Sequence, residues 1–311
     1  MGRLFLALKR PMISRTHERA APERRPPASS AWLVVARALG WGAAVAFLAP
    51  CGCAPDDSID RVQREGTLRV GYAVEAPYAF VDAQGRATGE SPEVARRVAE
   101  SLGIRRVVWV QTQFARLIPD LESGRFDVIA SGLFVTRERA RRVAFSRPTF
   151  RVAEGLLVRS KDVAPPTTCR ALAGRPDARV AVISGAVEHD RLRACGVRAG
   201  QIVTVPDAAA GRAAVATGVV LGLALSLPTL RWMAATDPAR RATAVPFAMG
   251  APTWSYGAFA FRRHDRSLRV AWDAALARFL GSPSHASAVA AFGFGPEERA
   301  DLAAPEDAVA R

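Results

Sequence analysis

From residue 68 to residue 225, short apolar runs alternate with amphipathic stretches, and this alternation most limits what the chain can become. Strands repeatedly followed by covering helices pack as a mostly parallel sheet wound on both faces, so the pattern predicts an α/β fold. Strands are expected at 68–72, 107–110 and 126–130, then at 154–158, 179–183, 202–205 and 219–225. A hairpin with Asp82 and Gly85 in its turn is expected over 81–89. Ser91, Pro92 and Gly103 punctuate a helix whose Val94, Val98 and Leu102 form one stripe. Thr112 is placed to cap the next helix, with Phe114 in its first turn and Leu117, Ile118 and Leu121 facing the sheet. Thr136 caps a short third helix. The break APPTT separates a second α/β unit, after which the chain returns through 254–261 and a helix burying Leu268, Trp272, Leu276 and Phe279.

In such sheets ligands lie beyond the carboxyl ends of the strands. Glu75 and Tyr78 follow the first strand; Ser131, Phe134, Thr136 and Arg139 follow the third; Gly185, Glu188 and Ser226 follow strands of the second unit. One arginine, acids and several aromatics have the composition of a site for a small charged molecule.

Length and charge narrow the function classes. The 311 residues allow two domains. The net charge of +14 suggests nucleic acid, but residues 1–50 supply +6 of it, and only Lys9 and Lys161 are lysines. An arginine-biased composition without a nucleic-acid motif argues against that partner. A basic face toward anionic lipid or a permease remains compatible. The apolar run 31–49 behind a basic lead reads as an export segment, with a start downstream of Met1 as an alternative. It ends in LAPCGC, where Cys51 or Cys53 is the candidate lipid acceptor; a cleaved signal without lipid is the other reading. Cys169 and Cys195 are either a disulfide or two buried thiols. The four histidines show no ligand spacing, so neither metal nor cofactor is expected. No Ser/His/Asp or Cys/His signature points to catalysis.

The segments LRVGY, PYAFVD, LIPDLESGRFDVIASGL, TRER and GAFAFRRHDRSLRVAWDAAL resemble the solute-binding proteins of polar amino acid ABC importers, over about residues 66–300. EAPY, Phe134 and GAVE are most similar to the branch that binds ectoine and hydroxyectoine. The resemblance implies a two-lobed periplasmic binding protein of type II, each lobe a doubly wound mixed sheet, joined by two crossover hinge strands. Residues 1–53 are then the export segment, 54–65 a linker, 66–153 with 257–303 lobe 1, 154–256 lobe 2, and 304–311 a tail. It further implies a periplasmic or extracytoplasmic monomer that delivers a small zwitterion to a membrane permease, with a lipid anchor if a cysteine is modified.

The resemblance also distributes roles. Arg139 of TRER grips a carboxylate, for which a guanidinium fork is suited. Tyr78, Phe114 and Phe134 form an aromatic box for a delocalised cation, and Glu75 pairs with that cation. Read without the family, these would be a solvated helix charge, core aromatics and a surface acid. Gly185 and Glu188 lie at a helix start that can receive a carboxylate. Ala186, Leu221 and Ser226 stand where amino-acid binders often carry a threonine and acids, which disfavours a primary ammonium ligand. Secreted cyclohexadienyl dehydratases resemble the same fold, and in that reading Glu188 is a catalytic acid.

Overall fold

The computed structural model describes residues 56–162, 164–250 and 254–299. The expected export segment, both lipid-acceptor cysteines and the tail lie outside the described residues.

Lobe 1 is built from α1 (Ser58–Glu65), β1 (Thr67–Tyr72), the small hairpin β2 (Phe80–Val81) and β3 (Ala87–Thr88), α2 (Glu90–Ser101), β4 (Arg106–Gln111), α3 (Leu117–Glu122), β5 (Val128–Ile129), α4 (Arg137–Arg142), β6 (Val143–Phe145) and β7 (Phe150–Val152). Lobe 2 follows with β8 (Glu154–Arg159), α5 (Cys169–Ala173), β9 (Val180–Ile183), α6 (Glu188–Ala194), β10 (Ile202–Val205), α7 (Ala208–Ala216), β11 (Gly222–Ser226), α8 (Leu227–Ala235) and β12 (Ala242–Pro246). The chain then re-enters lobe 1 as β13 (Ser255–Gly257), β14 (Ala260–Arg262), α9 (Arg266–Phe279) and α10 (Pro283–Ala290).

Each lobe holds a five-stranded mixed sheet, ordered β4-β1-β5-β14-β6 in lobe 1 and β10-β9-β11-β8-β12 in lobe 2. β1 runs parallel to β4 and β5, while β14 joins antiparallel. β9 runs parallel to β10 and β11, and β8 is antiparallel to β11 and β12. Successive side chains of a strand point to opposite faces, so each sheet needs two covers. In β9, Val180 and Val182 pack with Leu192 on one face, and Ala181 and Ile183 with Val215 and Leu230 on the other. Lobe 1 divides in the same way, with Leu68 and Val70 beneath α2 and α9, and Ile129 beneath α3. The doubly wound, two-lobed expectation therefore holds.

Several local expectations change. Residues 58–65 are not linker: Val62 of α1 is fully buried in the lobe 1 core, and Ser58 hydrogen-bonds Ser267 at the start of α9 at 3.0 Å. α2 starts at Glu90 with Gly89 at its N-cap, so Ser91 lies inside the helix and caps nothing. The Thr112 hydroxyl donates instead to Asp120 at 2.7 Å, and Phe114 opens a 3-10 turn ahead of α3. The segment 254–261 is interrupted by Ala258 and Phe259, giving two strands. Cys169 and Cys195 are joined as a disulfide, with Cα atoms 6.0 Å apart, which ties α5 to the end of α6.

The two crossovers run side by side. β7 and β13 pair antiparallel, and where the chain enters lobe 2 the Glu154 carboxylate accepts from the Ser255 hydroxyl at 2.8 Å and pairs with Arg191. A buried carboxylate held by a cation and a hydroxyl fixes the exit and return paths to each other.

Candidate functional site

Segments following β1, β4, β5 and β9 meet the end of β11 around one central cavity of about 20 Å³. Its charged lining residues are Glu75, Arg139 and Glu188; Phe114, Phe134 and Ser226 complete the expected set there.

Arg139 owes its position to a helix cap. The Thr136 hydroxyl accepts from the Arg139 backbone N–H at 3.2 Å, starting α4 where the guanidinium can turn back over the strand ends. That guanidinium donates to the carbonyls of Phe134 at 2.8 Å and, across the cleft, Gly185 at 2.9 Å. It also lies over the Phe114 ring, 5.6 Å from its centroid. Burial lowers its pKa to about 10, against the pull of Glu188, so it stays charged at neutral pH.

The Glu75 carboxylate accepts from the Thr229 hydroxyl at 2.8 Å, and burial pushes its pKa up to about 7 despite that bond. Glu188 is the first residue of α6 and is 2% exposed. Burial likewise drives it to about 7; its own backbone N–H opposes this, Glu75 adds to it and Arg139 opposes it.

Tyr78 stands behind the cavity wall. It is 1% exposed and packs against Phe150, Phe294 and Phe134 at centroid distances of 5.0, 5.4 and 6.3 Å. Only its hydroxyl reaches the cleft, donating to Ser226 at 3.0 Å. Ser226 donates to Thr229 at 3.3 Å, and Thr229 donates to Glu75. A relay of hydroxyls thus runs from lobe 1 through two lobe 2 residues and back to lobe 1, each bond polarising the next.

Of the remaining expected residues, Thr136 and Gly185 line a larger outer cavity of about 430 Å³. Ser131 is spent on the fold: its hydroxyl accepts from the Ala73 N–H at 2.9 Å and donates to the Ala73 carbonyl at 3.2 Å. Phe114 lines the central cavity, that outer one and a further one of about 110 Å³. Two contributors escaped the sequence reading. Thr229 left a faint signal, its three-residue spacing from Ser226 at a helix start. Gly132 has φ +63°, and a Cβ there would lie 2.5 Å from the Tyr78 ring, so the aromatic wall requires glycine. Among the described residues no group of three or more His, Cys, Asp or Glu side chains is placed to hold a metal ion. No described helix is long and apolar enough to cross a membrane.

Two mixed sheets linked by paired crossovers, with charged strand ends facing each other across a cleft, define a hinged two-lobe ligand-binding protein. The chain belongs to the bacterial extracellular solute-binding proteins, family 3, whose profile matches residues 68–292. It is 30% identical over 281 residues to a probable amino-acid ABC transporter periplasmic-binding protein of Sinorhizobium fredii, covering 89% of this chain and 93% of that one. The crystal structure of EhuB in complex with hydroxyectoine superposes with a TM-score of 0.69 at 28% identity, over 77% of this chain and 93% of that one. A cyclohexadienyl dehydratase of Pseudomonas aeruginosa is 35% identical, but over only 35% of this chain and 41% of its own length.

Proposed function

We propose that the protein captures a small zwitterionic solute of the ectoine or amino-acid type outside the cytoplasm, closes its lobes on it, and delivers it to the membrane permease of an ABC importer. The observation that carries this reading is the single cavity that gathers the Arg139 guanidinium, the Glu75 carboxyl and the Phe114 and Phe134 rings from separate strand ends. Arg139 would take the ligand carboxylate in a bidentate grip, and Glu75 with the rings would take a delocalised cation. A space of about 20 Å³ holds roughly one water molecule, so the lobes must part to admit any such solute. Likeness to a hydroxyectoine complex and to an amino-acid binder supports the ligand class. A lipid on Cys51 or Cys53 would hold the mature protein at the membrane, a point that mass spectrometry of the exported form decides.

The test is thermal unfolding of the mature protein against ectoine, hydroxyectoine, glycine betaine, proline, polar amino acids and prephenate. A ligand at a hundredfold excess over its Kd adds about 2.7 kcal/mol and a visible rise in Tm. A shift with ectoines supports the aromatic site; a shift with standard amino acids keeps the importer role and removes the ectoine assignment.

A second reading has one observation behind it. Glu188 carries a carboxyl whose pKa is near neutrality, as a catalytic acid requires. Turnover of prephenate or arogenate would establish the dehydratase reading, and its absence in a protein that binds the panel would dismiss it.

A further inference from the structure

The charges around the central cavity do not balance. One cation, Arg139, faces two carboxyls, Glu75 from lobe 1 and Glu188 from lobe 2, so closing the cleft brings two acids into one small space. Glu90, buried at the start of α2 and within electrostatic reach of Tyr78, accepts from the Ser91 hydroxyl at 2.7 Å and does not line the central cavity; burial raises it to about 7 as well. The remaining ionisable groups of the packed elements are engaged elsewhere. Arg191 pairs with Glu154, and His189 hydrogen-bonds Asp190 at 2.9 Å on the exposed side of α6. Glu138 of α4 lines the outer cavity, and Asp207 caps α7 by accepting from the Ala210 N–H at 2.8 Å. Tyr78 contributes a phenol that burial keeps neutral. Glu75 has the Thr229 hydroxyl, while the Glu188 carboxylate receives its own backbone N–H. Two such carboxylates confined together demand a second positive charge or a proton.

We propose that Glu188 sets the charge class of the ligand. With both carboxyls ionised, the closed cleft takes monocarboxylates that bear a net positive charge; it takes a net-neutral zwitterion only together with one proton shared between Glu188 and Glu75. This rests on the binding reading above and narrows it.

The sign follows from burial. Both carboxyls move from the ordinary 4.5 to about 7, so between those values the closed cleft holds protons that open, hydrated carboxyls have lost. Raising the pH through that window therefore costs the closed state. A second ligand cation offsets the cost, and a neutral zwitterion does not.

Calorimetric titration of the mature parent, Glu188→Gln and His189→Gln with ectoine and L-arginine, at about pH 5.5 and about pH 8 in buffers of differing ionisation enthalpy, tests this. In the parent and in His189→Gln, the arginine-to-ectoine affinity ratio is expected to rise at least about tenfold between the two pH values, and ectoine to take up a proton at the higher one. In Glu188→Gln the ratio stays constant and the proton uptake disappears. A constant ratio in a parent that binds either probe overturns the charge filter and leaves the binding reading intact. An unchanged pH response in Glu188→Gln, or its loss in His189→Gln, overturns the assignment to Glu188. A folded parent silent toward both probes overturns the inference, and silence toward the whole solute panel overturns the binding reading beneath it.

Discussion

Arg139 spends its guanidinium on two backbone carbonyls, one in each lobe, and a ligand carboxylate must take over those donors. Arg139→Ala should therefore weaken binding of any carboxylate ligand by at least about a hundredfold, and Arg139→Lys, which keeps the charge but loses the fork, by at least about tenfold; calorimetry reads both. Glu75→Gln removes a carboxylate but keeps a polar group for Thr229. It should weaken ligands with a delocalised cation by about tenfold relative to a simple carboxylate, measured by competition at about pH 5.5. These two side chains were legible because each follows a strand end and Arg139 stands in a recognisable TRER. Tyr78 was legible only in part, since nothing in the sequence separates a ring that walls a cavity from one buried behind it. Thr229 becomes a partner of Glu75 only when two segments 154 residues apart are brought together.

Among the elements, β5 illustrates what local pattern conceals. The expected strand at 126–130 shrinks to Val128–Ile129; beside it the Asp127 backbone N–H still donates to the Arg69 carbonyl at 2.8 Å, while its side chain serves as an anchor. Its buried carboxylate pairs with Arg61 of α1 at 3.0 Å, Arg69 of β1 at 2.8 Å and Arg262 of β14 at 3.1 Å. Despite its burial, hydrogen bonds and charge from Arg69, with help from Arg61, hold its pKa at about 2. A depressed carboxylate contributes stability that is present above its ordinary value near 3.8 and lost as the pH falls toward 2. The parent should accordingly lose about 2 kcal/mol between pH 5 and pH 2 that an Asp127→Asn variant does not. That variant should itself be less stable by about 3 kcal/mol in urea at neutral pH, because three arginines then face one another. α1 escaped the sequence reading for a related reason. It is mostly polar, and burial of Val62 with the Arg61 contact to Asp127 are what fasten it to the lobe.

At the scale of the whole molecule, alternating strands and helices made two lobes readable, whereas the closeness of their approach depends on contacts no periodicity encodes. Gly185 marks that approach: with φ +80°, its missing Cβ would stand 3.1 Å from the Ala115 Cα of the opposite lobe. Gly185→Val should hold the cleft ajar, visible as a larger radius of gyration in small-angle scattering and at least about a tenfold loss of ligand affinity. The hydroxyl relay from Tyr78 through Ser226 and Thr229 to Glu75 acts in the opposite sense, drawing the lobes together through the protein's own groups. Bonds that form on closing whichever solute is inside would lengthen the stay of every captured solute by the same factor, so the relay bears on the tempo of handover rather than on the choice of cargo.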